Sequence, residues 1–93
     1  MSLNRYAKRR DTNESELVAI AKQFGALWVQ EGPLDGWVGF QGRWTPVEIK
    51  HGKNRYTDFR NLFLAKCLSH RVPHFTWRTE RDVFESLGAQ QTA

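Results

Sequence analysis

The sequence predicts an α/β fold with a mixed four-stranded sheet flanked by helices. An amphipathic helical segment comes first, and three short strand-like segments follow it, two of them joined by a tight turn. From residue 43 to residue 77 the pattern then reads strand, helix, strand, which favours a parallel crossover. The predicted order is α, three antiparallel strands, α, β, α. With 93 residues, 40% of them hydrophobic, the chain has enough apolar bulk for one small domain.

The first predicted helix covers residues 14–24. Residues 1–12 are polar and basic without apolar periodicity, which predicts a loosely ordered N-terminal arm before a single domain at 13–88. Asn13 is placed as an N-cap, with Glu16 as its capping-box partner and Gly25 as the C-terminal stop. The apolar positions recur at helical spacing: Leu17, Val18, Ala21 and Phe24.

The next segment predicts a strand and a β-hairpin. Residues 26–30 form the strand, with Leu27 and Val29 on one face, and the Gly32-Pro33 loop ends it. The hairpin joins residues 35–40 to 43–50 through the two-residue loop Gln41-Gly42. Pro46 cannot donate to a ladder, so it must lie at a bulge or where its nitrogen faces an edge.

The second half predicts a basic loop at 51–56 and then a helix capped by Thr57 or Asp58. The helix ends near His70, and its predicted buried face carries Phe59, Leu62, Phe63 and Cys67.

A short strand and a third helix complete the prediction. Pro73 opens the strand, which runs through Trp77, and Thr79 caps the last helix. Gly88 is the predicted stop of that helix, and residues 89–93 form a frayed tail. Its inward positions are Val83, Phe84 and Leu87.

Two acidic residues and a lysine converge in this arrangement. Counting outward from the Gln41-Gly42 loop places Asp35 directly opposite Glu48, and strand alternation puts Lys50 on the same side as Glu48. Neighbouring carboxylates repel unless a proton or a cation lies between them, and hard oxygen ligands suit Mg²⁺. The sequence therefore predicts a metal site suited to phosphodiester chemistry.

The charge of the chain favours an anionic partner. Its formal net charge is +4, and nucleic acid is the leading candidate, while a merely solvated basic surface is the alternative. Basic residues crowd at the start and after the acidic pair: Arg5, Lys8, Arg9, Arg10, Lys50, Lys53, Arg55 and Arg60.

Cysteine content and hydropathy bear on the compartment. A single cysteine excludes an intrachain disulfide framework. The chain shows neither a secretory apolar region nor an apolar run of membrane-spanning length. The expectation is a reducing, cytoplasmic setting without a membrane partner.

With these elements in place, the chain from about Arg10 to Leu87 resembles the PD-(D/E)XK nuclease superfamily, and more narrowly the stand-alone, phage-type members of the VRR-NUC family. The matching segments are Asn13-Glu14 at the first helix, Gly25-Ala26, Pro33-Leu34-Asp35, Val38-Gly39, Gln41-Gly42-Arg43 and Val47-Glu48-Ile49-Lys50. The family's Pro-Asp is interrupted here by Leu34, which is a common variant.

The resemblance implies a minimal restriction-endonuclease-like αβββαβα core and metal-dependent hydrolysis of DNA. Asp35 and Glu48 would ligate Mg²⁺, for which Mn²⁺ would substitute, with the main-chain carbonyl of Ile49 as a further ligand. Glu14 would reach the site directly or through water. Lys50 would orient or help deprotonate the attacking water. No small-molecule cofactor besides the metal is implied.

The resemblance also implies a homodimer that acts on branched, junction or flap DNA by shape rather than by sequence, in a bacterial or phage-infected host cell. After the lysine, Thr57 matches the family's Leu-Thr-Pro-x-Gln segment, whereas Arg60 replaces its glutamine and could grip a phosphate instead. The candidate DNA contacts are Arg9, Arg10, Lys53, Arg55, Thr57 and Arg60.

Other interpretations of these residues stay open. The acids could be solvent-facing partners for Lys50 and Arg43, or a structural or vestigial cluster in a non-catalytic nucleic-acid-binding module. His51, Cys67, His70 and His74 have zinc-like spacing, although Cys67 falls on an apolar helix stripe, which favours a structural role. Four tryptophans could stack on bases or fill the core: Trp28, Trp37, Trp44 and Trp77.

Overall fold

The computed structural model describes the backbone of residues 2–50 and 58–92, and the side chains of 13–50 and 59–91. The helices are α1 (Ser2–Gln23), α2 (Asp58–Ser69) and α3 (Glu80–Thr92). The strands are β1 (Leu27–Val29), β2 (Gly36–Phe40), β3 (Arg43–Ile49) and β4 (Phe75–Trp77). The predicted basic loop and Thr57 lie outside the described residues.

The strands form one sheet in the order β1-β2-β3-β4. β1, β2 and β3 are antiparallel neighbours, and β4 pairs in parallel with β3 after the α2 crossover. This confirms the predicted α/β class and the mixed four-stranded sheet. Among the described residues, no helix combines the length and the apolar character needed to cross a membrane.

The hydrophobic core lies between one face of the sheet and the helices α1 and α3. Leu17 and Ala21 of α1 meet Val83 and Leu87 of α3 over this face. The strands contribute buried side chains from alternate positions, so the core takes one side of the sheet and leaves the other side for α2. These strand residues are Val38, Phe40, Val47 and Trp77.

Helix α1 begins at Ser2, far before the predicted start at residue 14. The prediction of a loose arm at 1–12 is therefore wrong in its secondary structure, and Asn13 lies inside the helix rather than at its cap. The segment 2–12 lacks Gly and Pro, and six of its eleven residues are the good helix formers Leu, Ala, Lys and Arg, so a helix that is nucleated by the packed part of α1 extends through it.

The end of α1 agrees with the prediction that Gly25 stops it. Gly25 has a φ of 91°, a left-handed conformation that glycine adopts without steric cost. Its N–H donates to the Lys22 carbonyl at 2.9 Å, and the Ala26 N–H donates to the Ala21 carbonyl at 3.1 Å. These two bonds form a Schellman motif.

In β1 it is Trp28 that faces the core, while Leu27 and Val29 share the exposed face. The Trp28 ring stacks on Trp77 with centroids 6.0 Å apart. It also lies across Gly36, where an added Cβ would come within 2.3 Å of the ring. A glycine directly after Asp35 therefore lets the indole pack against β2.

The β2–β3 hairpin has the predicted register. Gln41 and Gly42 both have positive φ, at 53° and 77°, as a type I′ turn requires. Pairing is continuous from Phe40↔Arg43 to Gly36↔Val47.

Pro46 lies in this hairpin without a bulge, because it pairs with Trp37 in unbroken register. Antiparallel pairs alternate between bonded and non-bonded, and the pair that closes a two-residue hairpin is bonded. Trp37↔Pro46 is then a non-bonded pair, and the proline nitrogen points toward the β4 side, where pairing begins only at Val47.

Helix α2 is rotated relative to the prediction. Phe59 and Leu62 are 65% and 64% exposed, so placing them on the buried face was wrong. The inward positions follow the spacing i, i+3, i+4, i+7 and comprise Arg60, Phe63, Leu64 and Cys67. An arginine heads the inward stripe because it has acidic partners on the sheet.

Helix α3 starts as predicted and ends later. The Thr79 hydroxyl accepts from the Asp82 N–H, and Asp82 Oδ2 accepts from the Thr79 N–H at 3.0 Å, which is a capping-box arrangement. Gly88 does not stop the helix, which continues to Thr92. The prediction that residues 89–93 form a frayed tail is therefore wrong for residues 89–92, which are helical. The residues after Gly88 include Ala and Gln, which offset the helix cost of one glycine. Phe84, predicted to face inward, is 50% exposed.

Candidate functional site

Asp35 is fixed against the end of β3 by its backbone and its side chain. The last pair of the hairpin is Gly36↔Val47, and Asp35 and Glu48 are the residues that follow it on the two chains. The Asp35 N–H donates to the Val47 carbonyl at 3.0 Å, and the Ile49 N–H donates to Asp35 Oδ2 at 2.7 Å. The first bond fixes the backbone of Asp35, and the second fixes its carboxylate.

Glu48 lies on the side of the sheet away from the core. Val47 and Ile49 pack on the core face, so strand alternation turns Glu48 to the opposite face, which Arg60 of α2 reaches. The residue is nevertheless only 4% exposed. A charged side chain that is this deeply buried needs a partner.

That partner is Arg60, whose guanidinium binds both carboxylates at once. Nη1 donates to Glu48 Oε1 at 2.7 Å and to Oε2 at 2.9 Å. Nη1 also lies 3.3 Å from Asp35 Oδ2, and Nη2 lies 3.2 Å from Asp35 Oδ1. The two acids predicted to converge therefore do so, and a cation lies between them.

Burial and the neighbouring charges both shift the ionisation of Glu48 and Arg60. Burial, followed by repulsion from Asp35, raises the pKa of Glu48 to about 7, although the hydrogen bond from Arg60 acts in the opposite direction. The pKa of Arg60 is raised; its burial opposes this, but the hydrogen bond to Glu48 and the charge of Asp35 outweigh burial. One guanidinium therefore compensates two carboxylates only in part.

The donor set fits a hard divalent ion at the position of the guanidinium. Two carboxylates that already share one cation offer the oxygen ligands that Mg²⁺ and Mn²⁺ take in proteins. Among the side chains of 13–50 and 59–91, no three His, Cys, Asp or Glu residues form a group that could hold a metal. The remaining ligands would come from main chain, water and substrate.

The other predicted site residues, Lys50 and Glu14, are located by their backbone positions. Lys50 directly follows β3, and its N–H donates to the Trp77 carbonyl at 3.0 Å, so the strand geometry that turns it toward the Glu48 face continues. Glu14 lies one turn before Leu17 on α1, half-buried. It does not join Asp35 and Glu48 in a group of three acids among the described side chains, and its reach to the site through water stays a prediction.

Most of the predicted DNA-contacting side chains lie outside the part of the structure that is described. Lys53, Arg55 and Thr57 lie outside the described residues, and so do the side chains of Arg9 and Arg10. Arg60 is described, and it contacts the two acids rather than projecting freely into solvent. Sequence reasoning missed this role, although the inward spacing of Arg60 with Cys67 was visible in the sequence.

The open alternatives for other residues are resolved in part. Cys67 is buried, which raises the pKa of its thiol. Within the described side chains Cys67, His70 and His74 form no metal-binding group, while His51 lies outside them. Trp77 belongs to the core, whereas Trp44 is 53% exposed.

We predict that the stability of the metal-free protein falls as pH rises through the titration of Glu48. Between its ordinary value of 4.5 and about 7 in the fold, the folded state binds the proton that the unfolded state has released, so the free energy of unfolding decreases. Relative to wild type, Glu48→Gln should gain about 2 to 3 kcal/mol over this interval. Urea unfolding of both proteins at several pH values measures this, and a pH-independent difference would contradict it.

Comparison with known proteins does not identify a family for the chain. No family model, curated protein or solved structure matches the chain. Functional inference therefore starts from the described side chains and the sequence motifs.

Proposed function

We propose that the chain is a metal-dependent DNA endonuclease with a restriction-endonuclease-like core, which hydrolyses phosphodiester bonds in branched, junction or flap DNA. The observation that carries the proposal is the meeting of the Asp35 and Glu48 carboxylates around the Arg60 guanidinium. The motif Val47-Glu48-Ile49-Lys50 and the net charge of +4 support it.

The proposed metal ligands are Asp35, Glu48 and the main-chain carbonyl of Ile49. A divalent ion bound there would lower the pKa of its water and stabilise charge on the non-bridging phosphate oxygens. Asp35 contributes a rigid ligand, because the Ile49 N–H fixes its carboxylate at 2.7 Å. Glu48 contributes a buried one, which strengthens its interaction with any cation.

In this proposal Lys50 acts on the attacking water and the phosphate. A lysine ammonium is a compact positive charge, and in the proposed reaction it would orient the water, help remove its proton and neutralise the developing charge. Lys50 is half-buried at the end of β3, two residues beyond Glu48. Strand alternation therefore brings it to the same side of the sheet as the metal ligands.

DNA recognition is proposed to depend on backbone charge and shape. Lysine and arginine contacts to phosphates position a duplex without reading its sequence, and they make binding salt-sensitive. The proposed contacts are Arg9, Arg10, Lys53, Arg55, Thr57 and, when released from the acids, Arg60.

A second candidate function is favoured by the Arg60 contacts themselves. Because the guanidinium already compensates the acids, the cluster could be a permanent structural ion pair in a non-catalytic nucleic-acid-binding module. This alternative predicts salt-sensitive DNA binding, no product with Mg²⁺ or Mn²⁺, and little effect of EDTA.

A cleavage assay with Lys50→Ala separates the two functions. Wild type is incubated with branched, flapped and linear DNA, with Mg²⁺, with Mn²⁺ and with EDTA. We expect metal-dependent product from wild type and about 10²- to 10⁴-fold less from Lys50→Ala, the range for a lost acid–base group. Lys66→Ala, which removes an exposed lysine from α2, is the matched control and should cleave normally.

Two outcomes of this assay would defeat the nuclease proposal. The first is DNA binding by wild type without product under any metal condition, which favours the non-catalytic module. The second is full activity of Lys50→Ala.

We also propose that the active form is a homodimer that works in the cytoplasm of a bacterial or phage-infected cell. A second copy would cover the exposed apolar side chains Phe59 and Leu62, which are neighbours on α2 at the spacing i, i+3. The molecular mass in solution, measured by sedimentation, tests the dimer.

A further inference from the structure

We propose that Arg60 is a displaceable internal counter-ion, which holds the site together without metal and is released when a divalent ion binds. This inference rests on the proposed metal-dependent function. In the structure the guanidinium lies between Asp35 and Glu48, where an ion bound to both carboxylates would lie. Arginine and metal therefore compete for the same carboxylate oxygens.

The contact distances show which interactions the ion would have to replace. Arg60 binds Glu48 closely, with Nη1 at 2.7 and 2.9 Å from its two oxygens. Its contacts to Asp35 are longer, at 3.2 and 3.3 Å. Arg60 is thus bound mainly to Glu48, and its longer contacts to Asp35 are the easier ones to exchange for metal.

The ligand geometry does not depend on Arg60 alone. Asp35 keeps its own bond from the Ile49 N–H at 2.7 Å, and Glu48 is fixed by its place within β3. Loss of the guanidinium would therefore leave both carboxylates on the same side of the sheet. A divalent ion then supplies the two positive charges that two ionised carboxylates require, where Arg60 supplies one.

Release of Arg60 gives it a second role on the substrate. Its backbone is anchored in the first turns of α2, so a released side chain remains within its own length of the site. A planar guanidinium binds phosphate oxygens through paired hydrogen bonds. Arg60 would thus exchange a carboxylate for a DNA phosphate when metal binds. Metal binding would in this way be coupled to substrate binding.

The test measures metal affinity rather than cleavage. Calorimetric titration with Mn²⁺ compares wild type, Arg60→Gln and the control Arg81→Gln, which removes an exposed arginine of α3. We expect Arg60→Gln to bind Mn²⁺ about tenfold more tightly or better, because no charge-assisted bond has to be broken. The affinity of Arg81→Gln should equal that of wild type.

Thermal unfolding supplies a second expectation for the same variants. Without metal, the uncompensated acids should lower the melting temperature of Arg60→Gln, and Mg²⁺ should raise it by more than it raises that of wild type. If Arg60→Gln does not fold without metal, Arg60→Lys takes its place, since it retains the charge but loses the paired geometry, and it should bind Mn²⁺ more tightly than wild type.

A measurement on wild type needs no variant. The side-chain Nε–H resonance of Arg60 in NMR spectra should move toward the position of a free arginine as Mg²⁺ is added. A resonance that stays unchanged while the protein binds metal would overturn the exchange.

The outcomes separate this inference from the proposed function. If wild type binds Mn²⁺ and Arg60→Gln binds it no more tightly, the counter-ion role is wrong while the metal site stands. If neither protein binds Mn²⁺, the proposed metal-dependent function fails and the inference fails with it.

Discussion

Replacing Glu48 by glutamine is expected to lower metal-dependent DNA cleavage by about a thousandfold or more, because a buried anionic ligand of the catalytic ion is lost. Glutamine keeps the shape of the side chain and can still accept a hydrogen bond from Arg60. The variant removes the charge without leaving a cavity. The measurement is the single-turnover cleavage rate with Mg²⁺ on branched DNA.

Folding and DNA binding should survive this change. Burial disfavours the ionised form of Glu48, which raises its pKa to about 7, so the neutral variant should be no less stable than wild type at pH 8. Glu85→Gln, which alters an exposed glutamate of α3, serves as the charge-matched control and should cleave at the wild-type rate. Cleavage by Glu48→Gln within a few-fold of wild type would remove Glu48 from the proposed chemistry.

The largest loss of stability is expected from Trp77→Ala, at about 3 to 5 kcal/mol for a buried tryptophan. Trp77 is 1% exposed, and its ring stacks with Trp28 and Phe75 at centroid distances of 6.0 and 6.2 Å. Its Nε1 donates to Ser86 Oγ at 2.9 Å, which ties β4 to α3. Urea denaturation measures the change in the free energy of unfolding.

Trp44→Ala is the matched control for this prediction. Trp44 is 53% exposed, so its truncation removes less buried area and should cost about 1 kcal/mol. Equal losses from the two variants would show that the core between β4 and α3 is not organised around Trp77. The Trp77 carbonyl also accepts the Lys50 N–H at 3.0 Å, so the loss of packing should reach the end of β3.

The part of the site that local rules define could be predicted from the sequence. The Gln41-Gly42 turn sets the hairpin register, and this register brings Asp35 and Glu48 to the same end of the hairpin, next to the last pair Gly36↔Val47. The preference of glycine for a left-handed conformation likewise located the end of α1 at Gly25. These features depend on residues that are close in sequence, where conformational preferences are strong.

The start of α1 and the orientation of α2 depend on tertiary contacts, which cannot be predicted from the sequence pattern. Apolar periodicity could not place the start of α1 at Ser2, since residues 2–12 have high helix propensity but no apolar stripe. The rotation of α2 was missed because the buried face was assigned by hydrophobicity. Arg60 faces inward to meet two acids on the sheet, and this outweighs the exposure of Phe59 and Leu62.

The measurement that most directly tests the proposed metal centre is the affinity of wild type and of Asp35→Asn for Mn²⁺. The electron paramagnetic resonance signal of the free ion reports how much Mn²⁺ stays unbound. Asparagine can still accept the Ile49 N–H, so the variant removes the charge of Asp35 while keeping its position. We expect wild type to bind Mn²⁺ and Asp35→Asn to bind it at least about tenfold more weakly, because an anionic ligand is lost. Equal affinity in the two proteins, or no binding by wild type, would contradict a metal site at Asp35 and Glu48.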